Sequence, residues 1–371
     1  MAQTRRMLVL RAVVEDYIRS HEPIGSSSLT RNHNLRVSPA TVRNEMSALE
    51  NDGYLVQPHT SAGRIPTEKG YRYFVDRLAS VVPLSAAQKR GISNFLGGSV
   101  SLQDILQRSA RLLASITGQV AVVASPALSK STLRHVELVP VAMNILLVVV
   151  ITDTGSVAQH TLTMVSMPSP DELSRFAAMV NTRFSGLPLA STAHRLREMA
   201  VSVEFPGMHD MARSLAMTFD SMADDEASSE LYMAGTSRLA HQRTASDLAP
   251  LFDALEEQVV LMRLMSSLSE ETSHSGVGVA IGSETHTPGL LHASVVTSGY
   301  GHTHTVSAQR PPRDQDQDQD AAYDEQANAP VAFVGSIGLT HMDYAATMAA
   351  VRAVARYLTE FISHDEDDQE C

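Results

Sequence analysis

The feature that most constrains the fold of this chain is a set of short helical segments near its N-terminus, two of them joined by a turn of only four residues. An amphipathic helix is predicted over residues 4–20, and a short helix follows over residues 26–33. After the turn at residues 34–37, Ser38 can serve as the N-cap of a third helix, and Pro39 fits its first turn. This order of helices predicts a helix-turn-helix unit.

A short strand and a tight glycine loop follow the third helix. Gly53 ends that helix, residues 54–57 have a strand pattern, and the loop at residues 59–64 leads to Thr67, which can cap a further helix. A loop of this kind after three helices is typical of a wing. The sequence therefore predicts a winged helix-turn-helix domain over residues 1–80.

Helical spacing divides the third helix into two faces. Val42, Met46 and Leu49 form a narrow apolar stripe directed toward the domain core. The other face carries short or forked hydrogen-bonding side chains, which suit contacts to base edges: arginine binds guanine, asparagine binds adenine, and a small alanine contacts a thymine methyl. The alternative is an ordinary solvated helix face. The predicted base-contacting residues are Ala40, Thr41, Arg43, Asn44 and Ser47.

The glycine loop offers candidates for contacts to the DNA backbone. Arg64 stands at the glycine turn, where it could lie along the phosphates or enter a minor groove. Thr60, Ser61 and the backbone near Gly63 could position phosphates without conveying sequence. The alternative for Arg64 is a pairing with a carboxylate of its own domain.

The net charge of the whole chain is −12, which alone argues against a nucleic-acid partner. The charge is unevenly distributed, because residues 1–80 hold 11 Lys/Arg against 8 Asp/Glu, a net of +3, and the remainder carries −15. Attraction to phosphates acts locally and is screened beyond about 8 Å at physiological salt. A mildly basic head on an acidic body therefore suits a DNA-binding protein.

Length and composition bound the remaining possibilities. A chain of 371 residues exceeds the size of one core, so two or three domains are expected. The only cysteine, Cys371, can form neither an intrachain disulfide nor a multi-thiolate metal site. Charges interrupt the N-terminal apolar run that a signal peptide needs, and the apolar run at residues 145–151 is too short to span a membrane. We expect a soluble cytoplasmic protein, associated with the nucleoid and without a membrane partner.

The order of elements after the head predicts a multidomain α+β protein. Strands come first, then helices, then strands again, so one α+β domain formed by residues 81–185 and 275–362 is expected to be interrupted by a mainly helical insertion at residues 186–274. Residues 307–328 are too polar to pack and are predicted to be a disordered surface insertion, and residues 363–371 a frayed acidic tail. The predicted strands are 119–124, 133–140, 145–152, 157–164, 277–281, 293–297 and 331–334.

A dimer is expected, because one recognition helix covers too few base pairs for specificity in a genome. The helix predicted over residues 247–268 carries more apolar surface on one face than a lone surface helix needs. We predict that this face lines or supports the dimer interface, and the alternative is packing within its own domain. The predicted dimerisation residues are Leu251, Leu255, Val259, Met262 and Met265.

The sequence contains no pattern that predicts catalysis, a cofactor or a metal. Glycine-rich phosphate loops, nucleophile elbows and metalloprotease helices are lacking. Four histidines are grouped along the sequence without a known ligand spacing, namely His286, His292, His302 and His304. We therefore predict that the protein is not an enzyme.

Several motifs of the chain are recognisable. In the head they are Glu22-Pro23-Ile24-Gly25-Ser26, Ser38-Pro39-Ala40-Thr41-Val42-Arg43-Asn44-Glu45-Met46 and Gln57-Pro58-His59-Thr60-Ser61-Ala62-Gly63-Arg64-Ile65-Pro66-Thr67. These segments strongly resemble the HrcA family of bacterial heat-inducible transcription repressors over residues 4–78. Weaker similarities continue at Leu231-Tyr232-Met233-Ala234-Gly235, Ile281-Gly282-Ser283-Glu284 and Met342-Asp343-Tyr344.

The resemblance implies a winged-helix head, a GAF-like domain and an inserted dimerisation domain. It also implies repression of chaperone operons through an inverted-repeat operator of the CIRCE type, with activity supported by a GroEL-type chaperonin. The chain departs from the family at His341, where an arginine is common, and at residues 307–328. The alternative functions are an enzyme or a ligand- or temperature-sensing regulator whose GAF-like domain binds a small molecule, and a winged helix that binds protein instead of DNA.

Overall fold

The computed structural model describes residues 2–60, 62–78, 85–99, 101–201, 209–224, 230–240, 245–272, 276–301 and 330–367. The predicted insertion at residues 307–328 lies outside these ranges, as do residues 368–371 of the predicted acidic tail.

The N-terminal head, residues 2–78, begins with three helices packed around one apolar cluster. They are α1 (Ala2–Ser20), α2 (Ser26–Asn32) and α3 (Pro39–Asn51). The hydroxyl of Ser38 caps α3 by accepting a hydrogen bond from the backbone N–H of Thr41 at 3.2 Å. Asp16, buried at the end of α1, accepts hydrogen bonds from Asn32 at 3.0 Å and His33 at 2.9 Å, which ties α1 to α2.

A two-stranded antiparallel hairpin, β1 (Leu55–Val56) and β2 (Ile65–Pro66), follows α3. Ile24 adds a third short segment to it through an antiparallel bridge to Arg64. Thr67 then caps α4 (Glu68–Tyr73), as its position predicts, and the chain continues as a wider helical turn over Phe74–Leu78. The two strands and the Ile24 segment hold residues 57–60 and 62–64 beside α3.

The body is built on a five-stranded antiparallel sheet. In spatial order its strands are β7 (Leu231–Ala234), β3 (Val120–Ala124), β10 (Ala332–Leu339), β9 (Ala293–Tyr300) and β8 (Gly278–Ile281). Both faces of β9 and β10 are covered, so this sheet forms the middle layer of the main core.

Helices cover the two faces of this sheet. One face is covered by α6 (Leu102–Thr117) and α13 (Tyr344–Asp367), and the other by α12 (Gln258–Glu271). Shorter or peripheral helices are α5 (Ala86–Leu96), α10 (Thr236–Ala240) and α11 (Ala245–Glu256). Because α13 extends to Asp367, the predicted tail at residues 363–371 begins as helix and not as frayed chain.

A second unit has its own sheet and its own core. Its strands β4 (Leu133–Ala142), β5 (Ile145–Thr152) and β6 (Val157–Thr163) pair in chain order as an antiparallel meander. Helices α7 (Pro170–Phe184), α8 (Leu189–Met199) and α9 (His209–Asp224) complete the unit, and one sheet face and these helices share a buried apolar cluster.

The boundaries of this inserted unit differ from those in the sequence-based prediction. Residues 133–163 were expected in the interrupted α+β domain, yet they form the sheet of the inserted unit, and residues 231–240 and 245–271, expected in the insertion, pack in the main core. The reason is that β4, β5 and β6 pair with one another through short connections, whereas β7 returns to β3 and closes the main sheet. The interruption therefore falls between β3 and β7.

Candidate nucleic-acid interface

The outward face of α3 presents the side chains predicted to contact bases. Ala40, Arg43 and Asn44 are exposed, and Thr41 and Ser47 are partly exposed on the same side of the helix. The Thr41 hydroxyl lies 3.0 Å from the Ser38 hydroxyl, so it belongs partly to the N-terminal cap. The helix N-terminus and the forked side chains of Arg43 and Asn44 thus share one open surface, a combination that suits phosphates and base edges.

A buried carboxylate on the opposite face of α3 fixes this helix to α1. Glu45 accepts hydrogen bonds from Arg5 at 3.2 Å and from Arg6 at 3.3 Å, and Arg6 also donates to Asp52 at 3.0 Å. The Glu45 residue is only 8% exposed, so these two arginines satisfy a charge that would otherwise be costly to bury. The sequence analysis did not identify Glu45. The available signal was an acidic residue among Val42, Met46 and Leu49 in the apolar stripe.

Arg64 is directed toward α3 instead of toward solvent. Its Nε donates to Glu50 Oε2 at 2.9 Å, and its Nη2 donates to the Ser47 hydroxyl at 3.2 Å. The Arg64 side chain is 15% exposed. This is the alternative given for Arg64 above, a pairing with a carboxylate of its own domain, and in this arrangement Arg64 connects the hairpin to the outward face of α3.

Close packing at Gly63 holds Arg64 in place. Arg64 and Ile24 exchange two backbone hydrogen bonds of 2.9 Å, and a Cβ on Gly63 would lie 2.4 Å from the Ile24 carbonyl oxygen. A side chain at position 63 therefore cannot be accommodated without moving the backbone. Glycine at position 63 therefore allows the loop backbone to lie directly against the backbone of Ile24.

The loop is stabilised by hydrogen bonds from one side chain to its backbone. The Gln57 side-chain amide donates to the carbonyl oxygens of Thr60 at 3.1 Å and Ala62 at 2.8 Å. Thr60 and His59 are exposed, whereas Ser61, predicted to contact phosphates, lies outside the described residues. The loop therefore offers a formed, exposed edge beside α3.

Three of the five predicted dimerisation residues lie in the core of their own subunit. Leu251, Leu255 and Met265 are buried, Met262 is partly buried, and Val259 is exposed. The helix predicted over residues 247–268 is in fact two helices, α11 and α12, that meet at Glu257. The α12 part of the apolar stripe packs on the main sheet, where the Met265 methyl lies beside Gly335, and the α11 part packs against α12 and the short turn at residues 288–290. Of the five, Val259 is the residue best exposed to contact another molecule.

An apolar surface that the sequence analysis missed lies on the outer face of the β4–β5–β6 sheet. Three rows of residues cross this face, each with one residue from β4, one from β5 and one from β6. The rows are His135–Ile151–Val157, Glu137–Val149–Gln159 and Val139–Leu147–Thr161. Val139 and Val157 are exposed, and Leu147, Val149 and Ile151 are partly exposed. The signal was present in β5, because residues 145–151 are apolar without interruption, a pattern typical of a strand that is covered on both faces.

Within the described ranges, no helix is both long and apolar enough to cross a membrane. In the same parts of the chain, no group of three or more His, Cys, Asp or Glu side chains is close enough together to hold a metal ion.

Comparison with known proteins gives consistent full-length matches. Residues 103–348 match the family described as the HrcA protein C terminal domain. The chain is 69% identical over 370 residues to the heat-inducible transcription repressor HrcA of Bifidobacterium adolescentis, covering 99% of each chain, and 43% identical to that of Kineococcus radiotolerans, covering 98% of this chain and 100% of the relative. A solved structure described as a hypothetical protein shares the fold with a TM-score of 0.59 at 21% identity, covering 97% of this chain and 98% of that one.

An α+β body joined to a small helical head, with full-length relatives named as repressors, defines the class: the protein is a transcriptional repressor associated with heat stress. The chain belongs to the HrcA family. This confirms the resemblance found in the head motifs, and it places the protein outside the usual enzyme classes.

Proposed function

We propose that the protein represses heat-shock chaperone operons by binding, as a dimer, to an inverted-repeat operator of the CIRCE type. In this proposal the head is a winged helix-turn-helix and α3 is its recognition helix. The observation that carries the proposal is the exposed face of α3, where Arg43 and Asn44 project from a helix fixed on its inner side by Glu45. A helix held in this way can enter the major groove without first losing conformational freedom.

The contacts would divide between bases and backbone. Arg43 and Asn44 would bind base edges, Ala40 would contact a thymine methyl, and the exposed hydroxyl edge of Thr60 would position phosphates. Arg64 would act differently from the sequence-based prediction, because its guanidinium is already engaged by Glu50 and Ser47. It would position α3 relative to the wing.

A further phosphate contact is proposed for Arg36, which the sequence analysis did not select. Arg36 lies in the turn between α2 and α3, two residues before the N-cap Ser38, and its side chain is exposed. Its φ of +54° places the turn in the left-handed region, which directs the chain sharply into α3. An exposed cation next to a helix N-terminus favours phosphate binding there.

The dimer would form through the outer face of the β4–β5–β6 sheet against a second copy of the chain. That face has apolar residues such as Leu147 and Val149 at its centre and polar residues such as Gln159 and Thr161 on β6. An apolar centre beside a polar rim is the usual composition of a protein interface. A two-fold pair of heads is what an inverted repeat requires. Val259 remains the exposed member of the originally predicted set.

The body would be the GAF-like domain. A GAF-like domain that senses a small molecule is the second candidate, and the packing of α12 counts against it. Leu261 and Met265 are fully buried on the sheet face that α12 covers, and the Met265 methyl would lie 2.3 Å from a Cβ placed on Gly335. Protein side chains thus fill the middle of the layer between that helix and the sheet, and the space left for a ligand there is a cleft of about 280 Å³ lined by residues that include Met262, Ser266 and Phe333.

Dependence on a GroEL-type chaperonin is also proposed. The main sheet needs β3 to pair with β7 and β10, with residues 125–230 in between for the first pairing. Pairing over such a separation is slow, and the five fully buried residues of β3 would remain exposed until it was complete. When heat-damaged proteins occupy the chaperonin, less repressor would reach the DNA-binding form, and the operons would be expressed.

The direct test is a gel-shift titration of the full-length protein with a duplex carrying a CIRCE-type inverted repeat and with a scrambled duplex of the same composition. Specific binding at equal salt supports the proposal. Equal affinity for both duplexes contradicts it.

A further inference from the structure

The head is joined to the body by a compact polar contact. Arg72 of α4 donates from Nε to Glu284 Oε1 at 2.9 Å, from Nη2 to Glu284 Oε2, and from Nη2 to the Val279 carbonyl oxygen at 2.6 Å. One turn earlier, Glu68 accepts hydrogen bonds from the Ser283 hydroxyl at 2.6 Å and the Ser283 N–H at 3.3 Å. A bidentate arginine–carboxylate pair fixes both distance and direction.

The body side of this contact is preformed. Glu284 also accepts the backbone N–H of Ile281 at 2.9 Å, so its carboxylate is oriented by its own loop as well as by Arg72. Gly282 has φ +53°, and a Cβ there would lie 2.1 Å from Glu68 Oε1. The loop therefore needs glycine at this position to admit the head so closely.

Beside the ion pairs, Tyr71 of the head packs on Tyr344 of the body with ring centroids 5.8 Å apart. Both tyrosines are buried, and the Tyr344 hydroxyl is held by hydrogen bonds with the Ser294 hydroxyl at 2.8 Å and the Thr340 carbonyl at 2.6 Å. The contact thus combines oriented polar groups with a buried aromatic pair.

Elsewhere the junction is more open. A cleft of about 670 Å³ separates α1 from the body and is lined by residues that include Arg11, Arg19 and Asp343. At its rim, the rings of His21 and His341 meet edge to face at 4.3 Å. Because the rest of the junction contains this cleft, the orientation of the head depends strongly on the contact around Arg72.

We propose that Arg72, Glu284, Glu68 and Ser283 form an orientation latch that sets the operator spacing the dimer accepts. The proposal rests on the proposed function, because spacing has meaning only for two heads on one operator. Each inserted base pair turns one half-site by roughly 34° and moves it by about 3.4 Å relative to the other. Heads fixed to their bodies cannot follow that rotation, whereas loosened heads can. The latch residues are positioning residues, and they need not touch DNA.

The experiment measures the affinity of the full-length protein for duplexes whose two half-sites are separated by the native spacer or by one or two base pairs more or fewer, and for a duplex with one half-site. The variants are Glu284→Gln and Ser283→Ala, which weaken the latch from the body side and leave the DNA-binding head unchanged. The matched control is Glu360→Gln, which removes a body carboxylate that pairs with Arg356 at 2.8 Å on α13.

We expect the wild-type protein and the control to prefer the native spacer by about tenfold or more, and the latch variants to prefer it by less than about threefold, with unchanged affinity for one half-site. Latch variants that keep the full spacer preference, or that lose affinity for the single half-site to the same degree, would overturn the latch. A wild-type protein that binds none of the duplexes would overturn the proposed function and the latch with it.

Discussion

Arg64 Nε lies 2.9 Å from Glu50 Oε2, and this pairing joins the loop of the hairpin to the helix proposed to enter DNA. A second hydrogen bond, from Arg64 Nη2 to the Ser47 hydroxyl at 3.2 Å, places the guanidinium beside the outward face of α3. The structure thus assigns Arg64 to the support of that face, whereas sequence position alone suggested a phosphate contact.

Substitution Arg64→Ala should lower the affinity for operator DNA without changing its salt dependence. The cause is a less well fixed α3, since the Glu50 carboxylate and the Ser47 hydroxyl lose their partner, at a cost of about 1–2 kcal/mol. Titrations at several salt concentrations give the slope of log affinity against log salt. The comparison variant is Arg36→Ala, for which loss of a phosphate contact should reduce the magnitude of that slope by about 1. A comparable reduction for Arg64→Ala would restore the phosphate-contact interpretation.

Substitution Glu45→Ala should destabilise the head. It leaves the partly buried Arg5 and Arg6 without their carboxylate and unfastens α1 from α3, so the free energy of unfolding should fall by about 1–3 kcal/mol. Urea denaturation followed by circular dichroism measures the change. The matched control is Glu22→Ala, an exposed glutamate of the same head, whose substitution should alter stability by less than about 0.5 kcal/mol. Equal effects of the two substitutions on the free energy of unfolding would show that the hydrogen bonds of Glu45 with Arg5 and Arg6 do not stabilise the head.

A charge on the outer face of the inserted sheet should weaken the dimer. Val139 is exposed and lies opposite Leu147, so Val139→Lys would place an ammonium group in the proposed apolar interface while leaving the subunit core intact. Light scattering over a dilution series should show monomers at concentrations where the unaltered protein is dimeric. The corresponding change at the exposed Val259 of α12, Val259→Lys, should leave the dimer in place. The reverse pattern would transfer the interface to α12.

Recovery of DNA binding after denaturation should depend on a chaperonin. Refolding from denaturant with chaperonin and nucleotide should yield more operator-binding protein than refolding without them, because the pairing of β3 with β7 and β10 is delayed by intervening chain. The quantity measured is the fraction of protein that binds the operator duplex. Chaperonin without nucleotide serves as the control. Equal recovery in all three conditions would leave direct thermal unfolding or a bound ligand as the switch.

Local features of the fold could be predicted from sequence, and long-range partners could not. Ser38 and Pro39 mark the start of α3, and Thr67 marks that of α4, because capping depends on neighbouring residues. The strands were also located, but a strand pattern does not specify which strand it pairs with. Ala121, for instance, lies between Ala234 and Ser336, which are remote in sequence. This is why the inserted unit was placed too late in the chain.

The same distinction applies to the candidate site. The exposed side of α3 followed from helical spacing, since Val42, Met46 and Leu49 define the buried side. The apolar stripe of α11 and α12 likewise followed from helical spacing. Such a stripe shows that the helix face is buried against another surface, but it does not show whether that surface belongs to the same subunit or to a partner. Leu251 and Met265 are buried within their own subunit. The hydrogen-bond partners of Arg64 and Arg72 could not be identified from the sequence, because only the fold brings Glu50 and Glu284 close to them.

The exposed face of α3 is proposed to read an operator sequence. The measurement that tests this role is the ratio of affinities for operator and scrambled duplexes in the unaltered protein, Arg43→Ala and Asn44→Ala. Each substitution removes a base contact and should lower operator affinity by roughly 1–3 kcal/mol while affinity for scrambled DNA stays nearly constant. The ratio should therefore fall by about tenfold or more in each variant at one fixed salt concentration. A ratio that is unchanged in both variants would show that this face of α3 does not read the operator sequence.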